Sequence, residues 1–344
     1  MQLMNKMNQR VVFVVDGNKK IGLGHVYRTL NLAKELKKSV NNIIFLTNDS
    51  MAMRLIKPNF HCMFFPKMYS LTKASIITKN DVVIIDKLHE SYKKLHFIKS
   101  NSFMMIGIDY IGKNKKLFSK GINILYQKTG ISGSNVYSGF KYTILNQNFT
   151  KTKPIKIKKK PKSLVIMQGG TDSHCFIPSI VNSISSSIRD MNVTVIAGRD
   201  FRGDKKLKQI AQKNAMSLTI KKNLKNMSQE LIKHDIAITG GGVTLLELCR
   251  LGIPSVVICT EKFENETASV LQHGGFGINL GYYAKVSRND VVTTINALFD
   301  NRKLRSKMNK NGRKIIDGCG SKRVSGLIRE WVRANEHFGS SSTS

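Results

Sequence analysis

The chain has 344 residues, which is enough for two domains of ordinary size, and 41% of them are hydrophobic, which is enough for substantial cores. This composition excludes a chain that is merely a disordered tail. Its 56 Lys and Arg against 22 Asp and Glu give a net charge of +34, a balance that attracts polyanions. Because the lysines are spread along the whole chain and no known nucleic-acid-binding motif accompanies them, nucleic acid is not an expected partner, whereas a peripheral contact with an anionic membrane stays open.

No apolar run approaches the ~20 residues that a membrane-spanning helix needs. The first ten residues, MQLMNKMNQR, lack the hydrophobic stretch of a signal peptide. We therefore expect a cytoplasmic protein, and a monomer. The five cysteines have neither metal-ligand spacing nor the pattern of a disulfide framework, so we expect no metal site.

The strongest local pattern is VVFVVDGNKKIGLGHVYRTLNLAKEL at residues 11–36. Residues 11–15 predict a strand buried on both faces, and apolar residues at helical spacing follow the glycines. Gly22 and Gly24 therefore lie between the carboxyl end of a strand and the start of a helix, where open α/β sheets bind ligands. His25 is a candidate general base there. Alternatively, the glycines only form a tight turn and His25 is a solvated residue at the helix start.

Further strands are predicted at 42–46, 81–86 and 103–109, and the last two end in aspartates at the sheet edge that carries the opening loop. Asp86 is thus a candidate substrate or base-orienting group, although an aspartate there can also simply cap the next helix. Residues 151–162, KTKPIKIKKKPK, are rich in lysine and contain two prolines, which indicates an interdomain linker.

The second half starts as the first does, with a strand at 163–167 followed by a glycine turn, and strands and helices continue to alternate. A strand at 235–239 leads into three glycines and a helix at 245–251. Such a turn can bind phosphate through backbone amides, with the Thr244 hydroxyl as a further donor. The Glu247 carboxylate can accept hydrogen bonds from two ribose hydroxyls; alternatively, it only complements the helix dipole.

These patterns predict two doubly wound α/β lobes that face a cleft. The predicted organisation is an N-terminal lobe at 1–150, the linker at 151–162 and a C-terminal lobe at 163–322. A helix at 323–338 would cross back to the first lobe, and a tail follows at 339–344.

The blocks DGNKKIGLGHVYRTLNLAKEL, GGTD, ITGGGVTLLELCRLGIPSVVI and FEN together resemble the UDP-2,4-diacetamido-2,4,6-trideoxy-β-L-altropyranose hydrolases of pseudaminic acid biosynthesis. That family is related to the lipid II N-acetylglucosaminyltransferase and has a two-lobed GT-B fold. The resemblance implies a metal-independent, cofactor-free hydrolysis of a UDP-linked amino or deoxy sugar at the anomeric carbon, which releases UDP and free sugar.

The resemblance also implies roles for individual residues. His25 would deprotonate or orient the attacking water. The residues expected at the sugar are Asp16, Gly22, Gly24, Arg28, Asp86 and Asn265. The residues expected at the nucleotide are Gly170, Thr171, Leu224, Gly241, Gly242, Thr244 and Glu247, with the uracil read by backbone near Leu224.

The chain departs from the family pattern on the sugar side. It has Asp86-Lys87-Leu88 where the family tends to have Asp-His-Tyr, Asp109-Tyr110 in place of Asp-Asp, and Asn265-Glu266 in place of Asn-Gln. A nucleotide-sugar substrate is therefore better supported than its exact sugar. A GT-B glycosyltransferase that uses a UDP-sugar and an acceptor other than water, such as a membrane lipid, is the alternative.

Overall fold

The computed structural model describes residues 7–18, 22–65, 76–168, 172, 174–188, 191–198 and 201–340, with side chains up to residue 336. The chain divides into two compact units. One unit consists of residues 1–146 together with 319–344, and the other consists of residues 147–318.

The first unit is built on a parallel sheet of seven strands in the order β3-β2-β1-β4-β5-β6-β7. Its strands are β1 (Arg10–Val15), β2 (Ile43–Thr47), β3 (His61–Phe64), β4 (Asp81–Asp86), β5 (Met104–Ile108), β6 (Lys120–Asn123) and β7 (Val136–Ser138). Its helices are α1 (Gly24–Leu36), α2 (Ser50–Ile56), α3 (Tyr92–Asn101) and the C-terminal helix α12 (Gly320–Ser340). Short 3-10 helices cover Lys115–Leu117 and Phe140–Tyr142.

The two central strands of this sheet are fully buried because helices cover both faces. Residues 11–15 of β1 and the whole of β4 are buried. The ring of Phe13 stacks on that of Phe45 in β2 at a centroid distance of 4.8 Å. Helix α1 lies so close to the end of β1 that a Cβ on Gly17 would come within 2.4 Å of a Val26 methyl carbon. The sequence thus places the start of α1 directly beside the end of the central strand.

The second unit repeats this architecture with a parallel sheet of six strands in the order β10-β9-β8-β11-β12-β13. Its strands are β8 (Ser163–Met167), β9 (Asn192–Ala197), β10 (Leu218–Lys222), β11 (Ile236–Thr239), β12 (Ser255–Cys259) and β13 (Ile278–Tyr282). Its helices are α4 (Gln147–Lys151), α5 (Ile177–Ile184), α6 (Asp204–Lys213), α7 (Met227–Leu231), α8 (Val243–Leu251), α9 (Glu264–His273), α10 (Arg288–Asp300) and α11 (Arg302–Ile315). A 3-10 helix covers Tyr283–Lys285.

The prediction of two doubly wound α/β units is confirmed. In each sheet the chain first builds outward in one direction and then returns to the other side of its first strand. This reversal creates a switch point between β1 and β4 in the first unit and between β8 and β11 in the second. The carboxyl ends of the strands at such a point are where sheets of this kind bind ligands.

The segment 151–162 differs from the expected linker, because it packs on the second unit. The Thr152 hydroxyl lies 2.9 Å from that of Ser228, and both side chains are buried. The Arg305 guanidinium donates to the carbonyl oxygens of Lys158 and Lys159 at 3.1 and 2.9 Å. The lysine side chains of this segment are exposed, whereas its backbone is hydrogen-bonded to the second unit. The lysine-rich composition therefore reflects the exposed side chains and not a free linker.

The boundaries between units also differ from the expected ones, and they fall at residues 146/147 and 318/319. Helix α12 groups with the first unit and packs on α1. It contains the single Trp331, which is buried and lies 5.4 Å from the Tyr137 ring. At its start, a Cβ on Gly320 would come within 2.1 Å of the Thr143 carbonyl oxygen, so only glycine permits this approach.

Candidate functional site

In the first unit, the predicted residues Asp16, His25, Arg28 and Asp86 come together at the switch point. Asp16 follows β1, Asp86 ends β4, and the two strands are paired along their length. His25 and Arg28 lie in the first turns of α1. One turn of helix separates His25 and Arg28, so both side chains reach the same strand end.

The imidazole of His25 is oriented by Asp86. His25 Nδ1 lies 2.6 Å from Asp86 Oδ1, and the carboxylate is fully buried while 13% of the imidazole remains exposed. An ionised carboxylate can only accept, so Nδ1 carries the hydrogen and Nε2 of the neutral ring keeps its lone pair. This arrangement can accept a proton from water or a hydroxyl.

Arg28 is buried between two carboxylates. Its guanidinium donates to both oxygens of Asp86, at 2.8 Å from Nε and 2.5 Å from Nη2, and Nη1 donates to Asp109. Burial alone would lower the pKa of Arg28, but the two carboxylates outweigh it and the pKa is raised. Burial alone would likewise raise the pKa of Asp86, but Arg28 and His25 bring it below its usual value. Asp86 is therefore a carboxylate at neutral pH.

Asp109, which the sequence analysis noted as a strand-end carboxylate and as part of the Asp109-Tyr110 departure, has a structural position here. Its backbone has a φ of 50°, in the left-handed region that L-residues rarely adopt. Its Oδ1 accepts from the backbone N–H groups of Ile124, Leu125 and Tyr126 at 2.6, 2.9 and 3.3 Å. The fixed carboxylate in turn holds Arg28, and through it Asp86.

Lys87 was noted in the sequence only as a departure from the family pattern, and its partners could not be identified there. Its ammonium lies 2.6 Å from Asp16 Oδ2 and 2.6 Å from Glu90 Oε2, and its side chain is 8% exposed. Burial opposes the charge, yet the two carboxylates raise the pKa of Lys87. The other Asp16 oxygen, Oδ1, is buried and has no hydrogen-bond partner in the described chain. The spacing of Lys87 and Glu90, three residues apart after a buried strand, was the available signal.

In the second unit, the glycine turn lies between β11 and α8. Gly242 caps the helix, and Val243 and Thr244 are its first residues, so the first turn of α8, where backbone amides lack partners within a helix, directly follows the glycines. Glu247 follows on α8, half-buried. Burial raises the pKa of Glu247 to about 8. No hydrogen bond to this carboxyl group occurs within the described chain, which leaves it able to bind a ligand.

Glu264, which sequence reasoning did not single out, holds this turn in place. Its Oε2 accepts from the backbone N–H groups of Thr260 and Glu261 at 2.9 and 3.3 Å. A Cβ on Gly241 would come within 2.6 Å of the Glu264 carbonyl oxygen, so the turn requires glycine there. Burial raises the pKa of Glu264, and hydrogen bonds from the backbone, including Gly241, oppose that rise.

The remaining predicted residues have less defined surroundings. Asn265 is exposed on α9 and accepts from Asn279 at 2.8 Å. Leu224 is half-buried between β10 and α7. Gly22 has a φ of 78°, which suits glycine, and Gly24 begins α1. Gly170 and Thr171 lie outside the described residues.

Within the ranges that the structure describes, no group of three or more His, Cys, Asp and Glu side chains is arranged to hold a metal ion. Over the same residues, no helix combines the length and the apolar character that crossing a bilayer requires.

Comparison with known proteins identifies the second half of the chain. The family model "Glycosyltransferase family 28 C-terminal domain" matches residues 143–318, more than half of the sequence. The chain belongs to this glycosyltransferase family. The matched range includes the glycine turn and helix α8, and it coincides closely with the second unit, residues 147–318.

Two curated proteins place this family 28 chain among its relatives. An uncharacterized protein of Methanocaldococcus jannaschii is 32% identical over 75% of this chain. The aligned part spans 57% of that protein's length. The spore coat polysaccharide biosynthesis protein SpsG of Bacillus subtilis is 23% identical over 92% of this chain and 96% of its own.

A solved structure identifies the fold. MurG of Acinetobacter baumannii superposes with a TM-score of 0.69 at 14% sequence identity, over 93% of this chain and 99% of MurG. The predicted GT-B fold is therefore confirmed for this family 28 protein.

Proposed function

We propose that the protein hydrolyses a UDP-linked amino or deoxy sugar at the anomeric carbon, as in nonulosonic acid biosynthesis of the pseudaminic type. The observation that carries this proposal is the His25–Asp86 pair, in which Nδ1 lies 2.6 Å from the carboxylate and Nε2 is the ring nitrogen left for a ligand at the switch point. Membership of family 28 supports a nucleotide-sugar substrate. The likeness to a spore coat polysaccharide biosynthesis protein supports a place in the synthesis of a sugar polymer or its precursors.

In the proposed reaction a water oxygen attacks the anomeric carbon while His25 Nε2 takes a proton from that water. The bond from the anomeric carbon to the phosphate oxygen breaks, and its electron pair leaves with UDP. Asp86 stabilises the imidazolium that forms, as a carboxylate does for a catalytic histidine. Asp16 Oδ1, buried and without a partner in the described ranges, is proposed to accept a hydrogen bond from a sugar hydroxyl, and Gly22, Gly24 and Arg28 complete the sugar side.

The nucleotide is proposed to bind in the second unit. Gly242 and Thr244 would hold the diphosphate with the amides at the start of α8, where the helix dipole favours negative charge, and Gly241, whose amide is bound to Glu264, would line the same turn. Gly170 and Thr171 are proposed to add contacts to it. Glu247 would accept hydrogen bonds from the ribose hydroxyls. The backbone near Leu224 would bind the uracil, and Asn265 would contact the sugar.

The test is to incubate the protein with a panel of UDP-sugars and to measure UDP and free sugar. We expect one UDP-linked amino or deoxy sugar to be hydrolysed without added acceptor. The His25→Ala variant should lose most of this turnover, because the base is gone, while it keeps its affinity for UDP. Unchanged turnover in His25→Ala would refute the assigned base.

A glycosyltransferase is the second candidate, and the family 28 match favours it. In that reaction His25 would deprotonate an acceptor hydroxyl instead of water. This candidate predicts UDP release that depends on an acceptor, and the charge of +34 predicts binding to anionic vesicles that salt weakens. Rapid UDP release in the absence of any acceptor would count against it.

A further inference from the structure

Gln168 occupies the switch point of the second sheet. It directly follows β8, whose last residue, Met167, pairs with Thr239 at the end of β11. Gln168 and Gly240 are therefore the next residues of two neighbouring parallel strands. This is the position in the second sheet that corresponds to Asp16 and its surroundings in the first.

The Gln168 side chain is buried and unsatisfied. The residue is 5% exposed, and neither Oε1 nor Nε2 has a hydrogen-bond partner among the residues that the structure describes. The Thr239 hydroxyl, one residue before the glycine turn, is also buried, and within the described part of the chain it has no partner. Buried amides are almost always hydrogen-bonded, because desolvating one without compensation is unfavourable. A buried polar group without a partner at a ligand-binding edge of a sheet indicates that a ligand supplies the missing hydrogen bonds.

The amide points to the glycine turn. Gln168 Oε1 lies 3.2 Å from the position that a Cβ on Gly240 would take, and Glu264 Oε2 lies 3.5 Å from the same point. The carboxylate of Glu264 is already engaged with the backbone of Thr260 and Glu261. The amide of Gln168 therefore has both a donor and an acceptor to offer at this turn, and the Thr239 hydroxyl lies one residue before it.

We propose that Gln168 binds a hydroxyl-bearing sugar ring of the substrate, and this inference rests on the proposed function. A phosphoryl oxygen accepts hydrogen bonds but donates none, so it would leave Oε1 unsatisfied. Sugar hydroxyls both donate and accept, and they can satisfy both ends of the amide. The ring is the transferred sugar or the ribose of the nucleotide, which share this chemistry.

The test is the Gln168→Met variant, which keeps the length of the side chain and removes both polar atoms. Calorimetric binding is measured with UDP-N-acetylglucosamine, UDP and 2′,3′-dideoxyuridine diphosphate. We expect the variant to lose about tenfold in affinity for a probe whose sugar hydroxyls it no longer binds. A loss for the nucleotide sugar alone assigns the transferred sugar. A loss for UDP and the nucleotide sugar, but not for the dideoxy probe, assigns the ribose.

A matched control is Ser102→Ala, which removes from the first unit a buried hydroxyl that has no partner among the described residues. Both variants should keep or raise the midpoint of thermal unfolding, because each removes an unsatisfied buried group, and only Gln168→Met should change affinity. Gln168→Glu provides a second variant that keeps the shape and removes the N–H donor, and it should also weaken the same probe.

Four outcomes overturn the proposal. An equal loss for all three probes would indicate a phosphate contact, and a lowered unfolding midpoint with unchanged affinities would indicate a structural role. If the wild-type protein binds none of the probes, the proposed function fails and this inference fails with it. If the wild type binds them and both Gln168 variants bind equally well, the assignment of Gln168 alone fails.

Discussion

His25 Nδ1 and Asp86 Oδ1 lie 2.6 Å apart, and the same carboxylate binds Arg28 through both of its oxygens. One buried aspartate thus orients the imidazole and neutralises the guanidinium. A substitution of Asp86 is therefore expected to affect both the orientation of His25 and the stability that depends on the Arg28 ion pair.

Replacing Asp86 with Asn should lower turnover by roughly 10²–10⁴-fold, since an amide N–H facing Nδ1 favours the tautomer with its hydrogen on Nε2. The measurement is UDP release in a single turnover, below the unfolding transition of both proteins. UDP affinity serves as the control and should be preserved. Wild-type turnover in Asp86→Asn would contradict an orienting role.

Replacing Arg28 with Met should lower the free energy of unfolding by about 3–5 kcal/mol, because it leaves Asp86 and Asp109 buried without their counter-ion. Urea unfolding at neutral pH measures the change. The exposed Arg302 at the start of α11 provides the control, and Arg302→Met should change stability by no more than about 0.5 kcal/mol. Similar small effects of both substitutions would show that the buried cation is dispensable.

Glu247→Gln should remove a pH dependence of stability. Burial raises the pKa of Glu247 from 4.5 to about 8 in the folded protein, so between these values the folded state holds a proton that the unfolded state has released. Wild-type stability should therefore fall as pH rises through this window. Gln cannot ionise, and the advantage of the variant should be larger at pH 8 than at pH 5.

Urea unfolding at the two pH values tests this expectation. Glu330→Gln, at an exposed position on α12, is the control and should give the same small difference at both. A Glu247→Gln effect that does not change with pH would show that the carboxyl group is not protonated in the folded protein.

Gly241→Ala should destabilise the second unit by about 1–3 kcal/mol and weaken UDP binding, because the new Cβ would meet the Glu264 backbone at 2.6 Å. The unfolding free energy and the calorimetric affinity measure the two effects. Gly326→Ala is the control: nothing lies within 4 Å of its Cβ position on α12. The free energy of unfolding of that variant should rise by about 0.5–1 kcal/mol, because alanine has a higher helix propensity than glycine, and the variant should bind UDP as the wild type does. Unaltered stability and affinity in Gly241→Ala would show that the turn can move.

Much of the fold could be predicted from local sequence. The strands β4 and β8 coincide with their predicted bounds, because an uninterrupted apolar run between turn signals has one favourable environment, a parallel sheet covered on both faces. The edge strands β3, β7 and β13 were not predicted. They are short or only partly buried, so their pairing depends on a neighbouring strand and not on their own pattern.

The sequence by itself determined that two doubly wound units exist and that Asp16, His25 and Asp86 follow or flank strand ends, since apolar periodicity and glycine position are local properties. The tertiary structure decided which charges meet. It placed Lys87 against Asp16, Arg28 between Asp86 and Asp109, and the unsatisfied Gln168 beside Gly240. These partners are far apart in sequence, and only the register of parallel strands and the packing of the helices on them brings their side chains together.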